Sequence, residues 1–332
     1  MLALRLARFR TLELAMGFSR SRVFAVLVAT VALAPRVACP QAARPGASRP
    51  AAVSVTDDGG ATLRLARPAT RIISLVPSAT ETLIALGATG QIVGRSRYDM
   101  APEVAYVPSV GGGLDPSVEQ IVALQPDLVI SWESDRRQRT RGKLTELHFP
   151  VLGVRTEDTT DAFRAIVRLG ALTGRTLQAK ALVSHVRSDF RSIRADAAGR
   201  PVPVVFYVVL HDPPMTASPA TFIGQLIGLA GGRLAFPEPG PHWPTVSMEA
   251  LVQRQPDVIV LPVGENGALS LDMLRNLPGW RDLAAVREGR VVTIPSNLVN
   301  RPGPHLGDAA RALFDAIHSP AVEQAVVARL RS

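Results

Sequence analysis

With 332 residues and 47% hydrophobic content, the chain holds enough apolar material for one large domain or two of ordinary size, which excludes disorder of its bulk. The formal net charge is +9, but eight Arg against a single acid, Glu13, place +7 of it in the first 50 residues. The remaining +2 provides no electrostatic footprint for a phosphate backbone, so nucleic acid is not an expected partner.

The basic start reads as an export signal spanning 1–39. Arg20 and Arg22 precede the apolar run Val23 to Ala34, which is short for a membrane span and suits the core of a secretory signal. Cys39, the only cysteine in the chain, follows directly and suggests lipidation, although Arg36 stands where a lipoprotein signal usually has Leu. A plain cleaved signal and an uncleaved anchor are the alternatives, and Met16 is an alternative start. In each version the body lies in the periplasm or otherwise outside the cytoplasm, lipid-anchored or free. It touches membrane only through this segment and has no disulfide chemistry.

Residues 40–52 are rich in Pro, Ala and Arg and read as a tether. Val53 to Leu65 alternates around Asp57-Asp58-Gly59-Gly60, which predicts a small hairpin that completes a 40–67 segment. From Arg71 the grammar becomes strand, loop, helix. Strands are predicted at 72–76, 127–130 and 151–154; Pro77-Ser78-Ala79-Thr80-Glu81 turns into a helix ending at Gly87, and further helices run over 118–124 and 162–172. Such alternation implies sheets covered by helices on both faces.

An internal repeat organises the chain. SVEQIVALQPDLVI (117–130) aligns without gaps on SMEALVQRQPDVIV (247–260), with six identities at an offset of 130. Val204 to Leu210 answers the strand at 72–76, and Phe222 to Gly231 answers the helix at 80–87. The expected fold is therefore α/β, with two Rossmann-like lobes of mostly parallel sheet at 68–172 and 198–318, followed by a tail at 319–332. Between them, Ala179, Leu182, Val183, Val186, Phe190 and Ile193 recur at helical spacing. They predict one long helix over 173–197, roughly 30 Å in length, so lobe motion should be modest.

Taken in order, RIISLVPSATETLIALG (71–87), VGGGLDPSVEQIVALQPDLVI (110–130), the linking helix, PPMTASPATFIGQLIGLAGG (213–232) and WPTVSMEALVQRQPDVIVL (243–261) resemble the helical-spine (class III) periplasmic substrate-binding proteins of ABC importers. The resemblance covers about 68–317. That family serves vitamin B12, ferric siderophores and haem, and Trp132 with Trp243-Pro244 is most similar to its cobalamin and corrinoid binders. The resemblance implies a monomer that captures a corrinoid and hands it to a permease, with a ferric siderophore or haem as the alternative ligand. Gly111-Gly112-Gly113 departs from the aromatic that corrinoid binders often carry there.

In open α/β sheets ligands sit beyond the carboxyl ends of strands, and Tyr98, Trp132, His211, Met215, Trp243 and Arg301 fall at such ends. Aromatic walls with a few donors suit a flat macrocycle with amide arms. The plainer readings are core positions for the two Trp, a solvated loop for His211, and an Arg301 that braces Pro302-Gly303-Pro304. The resemblance further implies that an acid near the top of each lobe docks onto Arg of the permease. Glu81 matches in the first lobe, whereas the second has Ala220, Thr221 and Gln225. Ser78-x-x-Glu81 also reads as a capping box.

Other classes find little support. The first strand is followed by Pro77-Ser78-Ala79 rather than a phosphate-cradling glycine loop, and neither GxSxG nor HExxH occurs, so an α/β enzyme is not expected. A zinc protein would have to use His211, His242 and His305 without an acidic cluster, so no cofactor or metal is expected.

Overall fold

The repeated QPD segments do the same physical work twice. This computed structural model describes residues 52–113, 115–133, 138–264 and 269–331; the signal, Cys39 and residues 40–51 of the tether lie outside them. In the first copy Ser117 caps helix α2 (Val118–Ala123) by accepting from the Gln120 amide; in the second Ser247 caps α7 (Met248–Arg254) through the Ala250 amide. Each helix is followed by a Gln before Pro, and Gln125 and Gln255 both adopt positive φ (45° and 41°), as Pro disfavours the right-handed helical region just before it. The Asp of each copy then clamps the start of the neighbouring strand. Asp127 accepts from the amides of Thr70 and Arg71 at 2.9 Å, and Asp257 from the Val204 amide at 2.7 Å.

An antiparallel hairpin, β1 (Val53–Thr56) with β2 (Thr62–Leu65), precedes the first lobe, and its turn carboxylates Asp57 and Asp58 pair with Arg141 and Arg168. The first lobe contains β3 (Ile72–Ser74), α1 (Pro77–Ala85), β4 (Ile92–Arg95), α2, β5 (Leu128–Trp132), α3 (Gln138–Glu146), β6 (Val151–Val154) and α4 (Thr159–Leu172). After α5 (Thr176–Ala197), the second lobe begins with β7 (Val204–Tyr207) and a short hairpin, β8 (Leu210–His211) with β9 (Pro214–Met215). It continues through α6 (Phe222–Leu229), β10 (Arg233–Leu234), α7, β11 (Val258–Val263), α8 (Leu271–Asn276), α9 (Ala284–Arg287), β12 (Val291–Pro295) and α10 (Ser296–Val299). Helices α11 (Leu306–Ile317) and α12 (Pro320–Arg331) follow.

Both four-stranded sheets are parallel throughout. Their orders, β4-β3-β5-β6 and β10-β7-β11-β12, are the same order when strands are counted within each lobe. Alternate residues face opposite cores: Ile72, Leu128 and Leu152 turn toward the core nearest α5, while Ile73, Val129 and Val151 turn away from it. The second lobe repeats this with Val205 and Val260 against Phe206 and Ile259.

Helix α5 joins the lobes as one element of 22 residues, roughly 33 Å long. Its buried side chains Ala179, Val186 and Ile193 recur every seven residues along one stripe. Phe163 of α4 and Leu182 of α5 pack against the cores of both lobes, so the two hydrophobic interiors meet at the spine. Close approach at Gly170 makes this possible, because a Cβ there would lie 2.3 Å from that of Ala179 and 3.1 Å from the Arg175 carbonyl oxygen. Gly170→Ala should therefore lower unfolding free energy in denaturant by about 1–3 kcal/mol, as overpacking does. Gly142→Ala, on α3 with open space around it, should be neutral or stabilising by up to about 1 kcal/mol.

Candidate functional site

The strand order reverses direction at β3 in the first lobe and at β7 in the second, which places crevices beyond the carboxyl ends of β3 and β5 and of β7 and β11. Two adjoining cavities lie between the lobes at these ends. The larger, about 830 Å³, is walled by Arg97, Tyr98 and Met100 of the first lobe and by Val263, Asn297 and Arg301 of the second. The smaller, about 250 Å³, is walled by Ser78, Tyr98 and Trp132 on one side and by Ser296, Asn300 and Arg301 on the other. Together they form one cleft with Tyr98, Ser296, Asn297 and Arg301 common to both parts.

Trp132 closes β5 rather than following it, and its indole is half-buried against the first-lobe core. The three-glycine departure has a local reason: a Cβ at Gly113 would stand 2.6 Å from the Leu75 carbonyl oxygen and 2.9 Å from Trp132 Nε1. Backbone and indole occupy the space that a side chain would need. Tyr98 is 58% exposed, so its ring lies at the mouth of the cleft, with the Arg97 guanidinium 5.9 Å from its centroid.

Arg301 ties the lobes together across the cleft. Its guanidinium donates to Glu81 Oε1 at 2.6 Å and to the Tyr98 carbonyl oxygen at 3.0 Å, and both charged side chains are mostly buried. The capping-box reading of Ser78 and Glu81 is corrected. Val76 occupies the N-cap position with no side-chain cap, Pro77 opens the helix, and Ser78 is buried inside its first turn, with its carbonyl accepting from the Thr82 hydroxyl at 2.7 Å. Pro at the first helical position moves the helix start two residues earlier than the Ser-x-x-Glu pattern suggests, from a cap at Ser78 to one at Val76. A second interlobe tie lies near the spine, where the Phe222 amide donates to the Glu157 carbonyl at 2.7 Å and Gln225 accepts from Thr159.

The six predicted ligand residues fall into two groups. Tyr98, Trp132 and Arg301 meet in the cleft. His211, Met215 and Trp243 gather beyond the carboxyl end of β7 and line neither cavity. There the His211 carbonyl accepts from the buried Trp280 indole at 3.3 Å, Met215 pairs with Thr245, and Trp243 sits edge-on to Phe222 with centroids 6.2 Å apart. Among the described residues no three His, Cys, Asp or Glu converge as a group that could hold a metal ion. Ser296, Asn297 and Asn300 were missed from sequence. The apolar run 291–294 before them, read as the fourth strand of the second lobe, would have placed them at a carboxyl end.

The profile of the periplasmic binding protein family matches residues 72–298, more than half of the chain. The chain belongs to the periplasmic binding protein family. Similar members include an uncharacterised ABC transporter substrate-binding lipoprotein of Bacillus subtilis (strain 168), 28% identical over 274 residues, with 80% of this chain and 85% of that protein covered. The crystal structure of the periplasmic vitamin B12 binding protein of Vibrio cholerae is 26% identical with a TM-score of 0.64, covering 78% of this chain and 98% of that one. The periplasmic heme-binding protein from Roseiflexus sp. RS-1 is equally close, at 26% identity and a TM-score of 0.65, covering 74% and 98%. Members of this family are the binding components of ABC transporters, and the two-lobed parallel-sheet fold described above is theirs.

Beneath Arg301 lies Asp99, buried at 5% exposure, which accepts from the Ser96 amide at 2.7 Å. Burial pushes its carboxyl up to about 6, against the pull of its hydrogen bonds from Thr80 and Ser96 and the charges of Arg301 and Arg95. A raised carboxyl favours the protonated folded state, so its contribution to stability is full at low pH and is lost as pH rises through about 6. Wild type should therefore lose Tm relative to Asp99→Asn between about pH 4 and pH 6 to 7, with a constant difference above. Thermal scans of both proteins across that range check this, because titrations common to both cancel.

Proposed function

We propose that this periplasmic binding protein captures cobalamin or a related corrinoid in the interlobe cleft, outside the cytoplasmic membrane, and delivers it to its ABC permease. One observation carries the reading: Trp132 and Tyr98 present aromatic surface to a cleft of about 830 and 250 Å³ whose other walls mix apolar Met100 and Val263 with the hydrogen-bonding groups of Ser296, Asn297, Asn300 and Arg301. The likeness to a vitamin B12 binding protein supports it. Trp132, Tyr98 and Arg301 are assigned to the central contacts, and Trp243, His211 and Met215 to an outer wall beyond β7. The likeness to a heme-binding protein makes haem the second reading, since a flat macrocycle is common to both ligands. The reading includes an N-terminal export signal with Cys39 as its lipid attachment point, in keeping with capture outside the cytoplasmic membrane.

Titration with cyanocobalamin should quench Trp fluorescence saturably, and haem titrated in parallel should bind more weakly. Trp132→Ala should weaken binding by about 1–3 kcal/mol, and Trp243→Ala by less because it lines neither cavity. Haem binding tighter than cobalamin, or a folded Trp132→Ala protein that binds as wild type does, contradicts the corrinoid assignment.

Glu81 is assigned to permease docking as well. Its carboxylate already holds Arg301, so a docking cation has to share or displace that partner. With saturating ligand, Glu81→Gln should reduce stimulation of transporter ATPase several-fold, and Arg301→Gln, which frees the carboxylate, should preserve it. Equal loss in both variants would assign the pair to cleft structure and not to docking.

A further inference from the structure

The second-lobe wall of the cleft carries polar groups that have no partner inside the protein. Ser296 Oγ, the side-chain amide of Asn297 and Nδ2 of Asn300 make no hydrogen bond to any group among the described residues. Ser296 and Asn300 are one helical turn apart along α10 and its C-cap, so both reach the same cavity.

Asn300 is held in a fixed orientation. Tyr207, at the carboxyl end of β7 and 1% exposed, donates its hydroxyl to Asn300 Oδ1 at 2.6 Å. Burial pushes the phenol further above its ordinary value, so the proton remains on Tyr207. With Oδ1 engaged, the amide NH2 of Asn300 is the group left for the cavity.

The cations of the cleft are in the opposite situation. Arg97 and Arg301 both line the larger cavity, yet Arg301 is held by the mostly buried Glu81 at 2.6 Å, and Arg97 is paired at the exposed rim with Asp115 at 2.5 Å. A ligand carboxylate entering the cleft would lose hydration, find each guanidinium among the described lining residues already paired, and meet the carboxylates that pair them. A neutral carboxamide both donates and accepts, and it can pair with an Asn amide and a Ser hydroxyl at a much smaller desolvation cost.

We propose that the cleft selects a ligand whose periphery carries neutral carboxamides rather than carboxylates, read by Ser296, Asn297 and Asn300, with Tyr207 as the positioning residue for Asn300. This rests on the cleft being the corrinoid site, and it adds which edge of the ligand is recognised and by what chemistry.

Two corrin probes that differ chiefly in this respect test it: dicyanocobinamide, whose side chains are carboxamides, one of them extended by an aminopropanol, and dicyanocobyrinic acid, whose side chains are carboxylates. Absorbance titrations at pH 7.5 and fixed ionic strength should show the carboxamide probe binding wild type at least about tenfold more tightly. Asn300→Ala should remove most of that preference by weakening the carboxamide probe. Tyr207→Phe, which keeps the ring in the core, should weaken it about three- to tenfold, with little change for the acid probe. Asn300 is exposed, so its variant reports on recognition even if Tyr207→Phe folds poorly. Equal affinity for the two probes, tighter binding of the acid, or a preference untouched in Asn300→Ala overturns the proposal and leaves the corrinoid reading standing. Failure of both probes to bind wild type overturns both.

Discussion

The packing of α5 against both lobes is the constraint from which the rest of the structure follows. Phe163 and Leu182 belong to the interiors of both lobes at once, and Ala179 sits so close to Gly170 that no side chain fits between the helices. A spine held by shared core cannot swing freely without opening hydrophobic interior to water. The spacing between the two sheets is therefore set largely by the fold, and the ligand has to fit the cleft it finds.

Within that frame the repeat gives each lobe the same sheet, and the sheet decides where chemistry can occur. Asp127 and Asp257 each tie the first strand of their lobe to the third, and the same strand order directs both sets of carboxyl ends into the cleft. The loops leaving those ends differ between lobes. The first contributes aromatic surface through Trp132 and Tyr98, and the second contributes amides and a hydroxyl through α10. An aromatic face opposite a polar edge suits a ligand with a flat body and hydrogen-bonding arms.

Much of this was legible in the sequence because it depends on short-range rules. Gln-Pro-Asp between helix and strand, and apolar residues at three- and four-residue spacing along α5, are local patterns with local causes. The cleft residues Tyr98, Trp132 and Arg301 were found through the rule of strand ends. The remainder depends on encounters between distant segments. Glu81 and Arg301 are 220 positions apart, and no local pattern shows that one neutralises the other. Asn300 looks like an ordinary loop residue until Tyr207, 93 positions away, is seen to hold its carbonyl oxygen. The Ser-x-x-Glu pattern at α1 misled for a local reason, since Pro77 claims the first helical position.

The central claim, that the spine fixes the cleft and the lobes close little on their cargo, is tested most directly by a distance measured across the cleft. Spin labels at exposed positions Tyr106 and Met273, with Cys39 replaced, report on the separation of the two lobes by double electron–electron resonance. A narrow distance distribution that moves by no more than a few ångströms on saturation with ligand is the predicted result. A broad distribution in the free protein that collapses to a much shorter distance on binding would contradict it.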